Sequence, residues 1–224
     1  MHNSLSLNLL YLKMRKRHGH LKWWPGDTRF EIIVGAILTQ QTTWKNVEKA
    51  ITNLKHANCM AIGKISSMPK KDLESMVRPA GYFRQKAARL QNLCRFIEKN
   101  HGTLENFLSL DIAELREELL AQKGIGNETC DSIMLYAAGK PVFVIDAYTK
   151  RIISRLYGTA ESMDYKELQS IFEEQLGPQA SLYNDFHAQF VELGKRNCRK
   201  TNPLCDSCPL NKYCRHYAEM LHHA

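Results

Sequence analysis

The chain has 224 residues, 44% of them hydrophobic, which is enough for one large domain or two small ones with a real core and argues against disorder. The net charge of +8, scattered along the chain with a pI of about 9.1, points to a polyanionic partner, nucleic acid first, although a basic enzyme with no such partner fits the charge equally well. The apolar runs, such as residues 32–38, fall far short of the ~20 residues a membrane span needs, so no membrane partner is expected.

Taken in order, residues 5–12 are apolar but short, and their basic neighbours follow rather than precede them, so they do not read as a signal peptide. A soluble, cytoplasmic protein is the expectation. Pro69 begins a helix at "PKKDLESMV", which Pro79, Ala80 and Gly81 end. Leu90, Leu93, Cys94 and Ile97 give the i, i+3, i+4, i+7 stripe of an amphipathic helix. Asp111 with Glu114 forms a capping box ahead of Leu115 and Leu119, and Asp164 with Glu167 repeats it ahead of Leu168 and Phe172. Residues 142–145 ("VFVI") look extended but are too short to require a sheet. The expected class is therefore all-α, with helices of roughly 10–18 residues joined by short turns.

Between predicted helices at 111–121 and about 127–138 lies "KGIGNET". Gly124 and Gly126 open backbone conformations closed to other residues, so the chain can turn sharply and aim successive N–H groups at one point. Such a turn either grips a phosphate of a DNA backbone or is an ordinary interhelical turn. Asp146 stands at the start of a predicted helix, Ala147–Tyr157, where it reads as a good N-cap. As chemistry, a carboxylate there could stabilise positive charge on a deoxyribose ring or direct water at the anomeric carbon. Cys198, Cys205, Cys208 and Cys214 follow the spacing C-x6-C-x2-C-x5-C and must converge on metal. Zinc serves on charge grounds, but zinc sites usually pair two C-x2-C hooks and only one is present. Cys59, Cys94 and Cys130 lie apart, in or near helical patterns.

The hairpin, the Gly-Lys-Pro link and "VID" together resemble the helix-hairpin-helix DNA glycosylase superfamily. The cysteine spacing resembles the [4Fe–4S] loop of the endonuclease III and adenine glycosylase proteins within it, and the likeness runs from about residue 23 to 214. The resemblance implies a monomer of two helical domains. A barrel over residues 28–138 would end in the hairpin, and residues 1–27 with 139–224 would carry the catalytic Asp146 and the cluster loop, 198–214. It also implies double-stranded DNA carrying a damaged base as partner, a nucleoid association, and a [4Fe–4S] cluster held by the four cysteines. Gly124 and Gly126 would hold the DNA backbone, Gln41 and Tyr82 would enter the duplex, and Arg199 and Lys200 would meet phosphates.

Departures within the superfamily narrow the activity. Where endonuclease III carries the lysine that forms a Schiff base, this chain has Glu128, and a carboxylate cannot form an imine. Where adenine-removing relatives carry a glutamate, it has Ala36. The segment "KWWPGDTRFEIIVGAILTQQTTW" is similar to the 3-methyladenine glycosylases of this fold. That similarity implies a base pocket from Trp24, Pro25 and Trp44, with Gln189 where one such relative has a lysine. The expected activity is monofunctional removal of an N-alkylated purine. Three alternatives remain: a glycosylase and lyase using Lys123 or Lys150, a glycosylase for deaminated or mismatched bases, and a DNA-binding iron–sulfur module without catalysis.

Overall fold

The computed structural model describes residues 5–21, 23–159 and 162–222, and among these all regular structure is helical. Helix α1 (Leu7–His18) comes first. It is followed by α2 (Arg29–Leu38), α3 (Trp44–His56), α4 (Ile62–Ser67), α5 (Lys70–Val77), α6 (Phe83–His101), α7 (Leu104–Ser109), α8 (Ile112–Ala121) and α9 (Asn127–Ser132). Helices α10 (Ala147–Tyr157), α11 (Tyr165–Leu176), α12 (Ala180–Arg196) and α13 (Arg215–His222) complete the chain. It divides into two compact units: Pro25–Lys140 is one, and the described residues up to Trp24 and from Pro141 onward form the other.

The inserted unit is built around α2. Its sequence, RFEIIVGAIL, is wholly apolar after Glu31, so no face of that stretch suits water, and eight of its ten residues are buried. Thr28 caps it, accepting the Glu31 N–H at 3.1 Å, and the buried Glu31 carboxylate is met by Lys55 Nζ at 2.8 Å. The α6 stripe of Leu90, Leu93, Cys94 and Ile97 is wholly buried. Asp111 caps α8 by accepting the Glu114 N–H at 2.8 Å, as its capping box predicts. The expected helix to about 138 is corrected by the structure: α9 stops at Ser132, and Ile133–Ala137 continue as a π turn, with the Ala138 N–H reaching back five residues to Ile133 O at 3.1 Å. All five residues are buried, and the Lys140 N–H bonds Met134 O at 2.9 Å across Gly139 (φ +67°). Burying the whole turn outweighs regular α geometry there. Helices α4, α7 and α9, of six residues each, are also shorter than the pattern predicts.

In the other unit, α12 packs against α1 and α10 over an aromatic core. Phe143 stacks on Phe172 with centroids 4.2 Å apart, and Phe186 stacks on Phe190 at 5.0 Å. The extended residues 142–145 run through this core with no strand to pair with among the described residues, so α11 side chains satisfy their backbone. Glu173 accepts the Phe143 N–H at 2.8 Å, Gln169 donates to Phe143 O at 2.7 Å, and the Tyr165 hydroxyl accepts the Ile145 N–H at 3.3 Å. This buried segment delivers Asp146 to the start of α10.

Candidate functional site

The two hairpin glycines are there for different reasons. Gly124 has φ +87°, and a Cβ on it would sit 2.1 Å from Arg89 Nε, so both backbone and packing require glycine. Gly126 is extended (φ −98°) and a Cβ there would meet nothing within 4 Å, which corrects the expectation that both glycines serve conformation. What Gly126 provides is an open approach to its backbone at the start of α9. Gln40, beside Gln41 and with nothing local to set it apart, donates to Gly124 O and to Thr129 Oγ1, both at 3.0 Å, and accepts from Arg89 Nη1. Gln40 and Arg89 thus tie the "TQQT" loop and α6 to the hairpin. Gln41 and Tyr82 are both exposed and both non-glycine residues at positive φ, +53° and +46°, a strained arrangement typical of functional positions. Glu128 is exposed in the first turn of α9.

Asp146 is 9% exposed and caps α10. Its Oδ1 accepts the Thr149 N–H at 2.7 Å and the Thr149 hydroxyl at 2.9 Å, while Oδ2 lies 3.5 Å from His187 Nε2. Burial works to raise its pKa, but the His187 ring and the two Thr149 donors outweigh it and hold the carboxyl below its usual range. The two cap bonds thus fall on Oδ1 alone, and Oδ2 faces the His187 ring. His187 sits in α12, 41 positions away, and nothing local in the sequence marks it.

Along α10, Arg151 Nε donates to Cys198 O at 2.9 Å, and Arg155 Nη1 donates to Arg199 O at 2.7 Å and lies 3.4 Å from Cys198 Sγ. Cys198, Cys205, Cys208 and Cys214 line one cavity with Arg155 and Asn197. Among the described residues, no three His, Cys, Asp or Glu side chains gather tightly enough to hold a single metal ion. Burial, and then the neighbouring thiolates, raise the pKa of Cys205, Cys208 and Cys214, with Cys208 pushed up to about 11, while backbone N–H groups of Leu210, His216 and Tyr217 oppose this at Cys208 and Cys214. Four crowded thiols around a shared cavity, with amide donors aimed at two of them, fit a polynuclear cationic centre. Arg199 and Lys200 are exposed on the same loop.

The expected pocket residues divide between the units. Trp24 is half-buried in one; Pro25, exposed, and Trp44, half-buried at the start of α3, belong to the other. Gln189 is fully buried, and its amide is spent internally: Oε1 meets His18 Nδ1 at 3.0 Å, and Nε2 donates to Gly19 O at 2.8 Å. It shapes the turn after α1.

Residues 34–178 match the HhH-GPD superfamily of base excision DNA repair proteins. The chain is 45% identical over 207 residues to a Methanocaldococcus jannaschii protein assigned as a DNA repair glycosylase, covering 92% of this chain and 94% of that one. It superposes on the H. pylori 3-methyladenine DNA glycosylase MagIII bound to 1,N6-ethenoadenine with a TM-score of 0.73 and 35% identity, over 84% of this chain and 95% of that one. Endonuclease III in a non-covalent DNA complex shares the fold at a TM-score of 0.82 and 21% identity, over 96% and 97% of the two chains. With its all-helical fold, its hairpin and this family match, the chain belongs to the HhH-GPD superfamily of base excision repair DNA glycosylases.

Proposed function

We propose that this protein is a monofunctional glycosylase that flips an N-alkylated purine, such as 3-methyladenine, out of double-stranded DNA and cleaves its N-glycosidic bond, leaving an abasic site. The observation that carries the reading is the Asp146 carboxylate, clamped through Oδ1 by Thr149 and kept ionised with Oδ2 beside His187. As the glycosidic bond breaks, positive charge grows on the deoxyribose, and a fixed anion stabilises it without having to reorganise. An N-alkylated purine is already cationic and leaves readily, so no strong general acid is needed at the base. An aromatic face would attract such a cation by ~0.5–2 kcal/mol per good contact, the role that the family resemblance gives to Trp24 and to Trp44. The 35% identity to a 3-methyladenine glycosylase supports the same substrate class.

Gly124 and Gly126 hold the sugar-phosphate backbone, Gln41 and Tyr82 fill the space left by the flipped base, and Arg199 and Lys200 meet phosphates. Glu128 stands where the lyase lysine would, so the abasic product is not cut. Cys198, Cys205, Cys208 and Cys214 would hold a [4Fe–4S] cluster, which would cross-link the loop rather than take part in bond cleavage. Iron and acid-labile sulfide in equal amounts support that assignment, and stoichiometric zinc overturns it.

A panel of duplexes with single lesions, scored with and without alkali, tests the function. Strand breaks confined to alkali-treated N-alkylpurine duplexes, and lost by about 10²–10⁴-fold in Asp146→Asn, are expected. Breaks without alkali, with borohydride trapping of a covalent adduct, would establish a lyase instead. Release of deaminated or mismatched bases only would replace the substrate, and duplex binding without any base release would remove catalysis.

A further inference from the structure

Lys86 lies in the first turn of α6 and is 1% exposed. That is an unfavourable place for a cation, because burial strips its hydration and the N-terminal end of a helix repels positive charge. Among the described residues no carboxylate pairs with it. Its ammonium instead donates to two backbone carbonyls, Leu38 O at 2.9 Å and Ala80 O at 2.8 Å. Burial, with the nearby Arg89, pushes its pKa down to about 8. A methionine would fill the same space without these penalties, so the amine's value lies in its two acceptors.

The acceptors belong to two separate loops. Leu38 ends α2 and leads through Thr39 and Gln40 to Gln41, and Ala80 leads through Gly81 to Tyr82. Lys86 also donates its own backbone N–H to Tyr82 O at 3.1 Å. Four exposed non-glycine residues are held at positive φ among the described residues; Asn58 and Asn202 are asparagines, which adopt it readily, and the other two are Gln41 and Tyr82, the latter 62% exposed. Strain of that kind persists only where the surroundings over-determine it, and Nζ of Lys86 is bonded to the root of both loops.

We propose that Lys86 is a positioning residue whose ammonium locks the Gln41 loop to the Tyr82 loop, so that the two side chains enter a duplex as one rigid unit. This rests on the reading of Gln41 and Tyr82 as duplex-entering residues. A base in single-stranded DNA is already unstacked and does not need them, so the role is visible as a difference between duplex and single-stranded substrates.

The test compares base release from a lesion-bearing duplex and from the same lesion strand alone. Lys86→Met should lower release from the duplex about tenfold and leave single-strand release within about twofold. In the Lys86→Met background Tyr82→Ala should cost much less than in the native protein, because coupled residues are non-additive. If Lys86→Met fails to fold, Lys86→Arg keeps the charge but cannot centre on both carbonyls, and a smaller loss confined to the duplex is expected. Equal losses on duplex and single strand, or full additivity with Tyr82→Ala, would overturn the proposal. If Gln41→Ala and Tyr82→Ala themselves leave duplex release unchanged, the duplex-entering reading fails, and Lys86 is reduced to a clamp within the fold.

Discussion

Alanine at Gly124 and alanine at Gly126, two residues apart in one turn, should have opposite consequences. At Gly124 the native φ of +87° costs an L-residue about 1–2 kcal/mol. The new Cβ would also lie 2.1 Å from Arg89 Nε, so the guanidinium must swing away and give up its bond to Gln40, a further ~1 kcal/mol at this partly exposed position. A total of about 2–3 kcal/mol lowers the melting temperature of a chain this size by about 4–12 °C. At Gly126 the backbone is extended and a Cβ meets no neighbour, so stability should change by less than about 0.5 kcal/mol. If the open approach at Gly126 admits a phosphate, the added methyl should weaken duplex binding about fivefold or more. A blocked N–H removes no charge and releases no fewer counterions, so the salt dependence of binding should keep its slope. Urea unfolding and duplex titration at several salt concentrations read all three quantities. A stability loss above about 1.5 kcal/mol in Gly126→Ala, or unchanged DNA affinity, would refute the assignment of that glycine to the ligand rather than the fold.

Thr149→Val removes one of the donors that hold the Asp146 carboxyl below its usual range, so its pKa should rise and the acid limb of kcat/KM should move to higher pH. Because the folded value is depressed, ionised Asp146 contributes stability above the unfolded value of about 4 and loses it as pH falls through the folded value. The variant should therefore be weaker than the native protein near neutrality and approach it in acid; an unmoved acid limb would separate Thr149 from catalysis. Glu128→Lys should gain a borohydride-trappable adduct on abasic DNA, and a variant that traps no more than the native protein would show that this position does not reach the sugar. Gln189→Leu should destabilise by about 2 kcal/mol in urea, because it leaves Gly19 O without its buried donor, and a neutral result would show that water replaces the amide.

Elements whose causes are local were legible in the sequence. The Asp111 and Asp164 caps, the α6 stripe and the full span of α10 follow from residues within four positions of one another. Shorter range failed where tertiary burial decided the geometry, as in the π turn at Ile133–Ala137, and where a conformational argument for glycine was extended from Gly124 to Gly126. At the site, Asp146 could be read as an N-cap from its position, but His187 could not, because one α12 histidine looks like any other. Lys86 was invisible for the same reason: within "FRQKAARL" it is one basic residue among three, and only the carbonyls of Leu38 and Ala80 mark it out. Glu173, Gln169 and Tyr165 read as polar residues of an amphipathic helix, yet they serve the backbone of an extended segment roughly 20 to 30 residues upstream.

The division of the chain carries a consequence for its synthesis. One unit is continuous, Pro25–Lys140, and can close its core as soon as Lys140 clears the ribosome. The other needs both ends: Leu10 and Met14 of α1 are buried, and Tyr11 donates to Asp185 across 174 positions at 2.7 Å. At about 5–20 residues per second, making residues 141–224 takes about 4–17 s. Through that interval α1 waits with its apolar face wet, tethered to a neighbour that has already folded. Its vulnerability in the cell is therefore set by translation speed over the C-terminal stretch, and rare-codon clusters there should favour aggregation of the nascent chain.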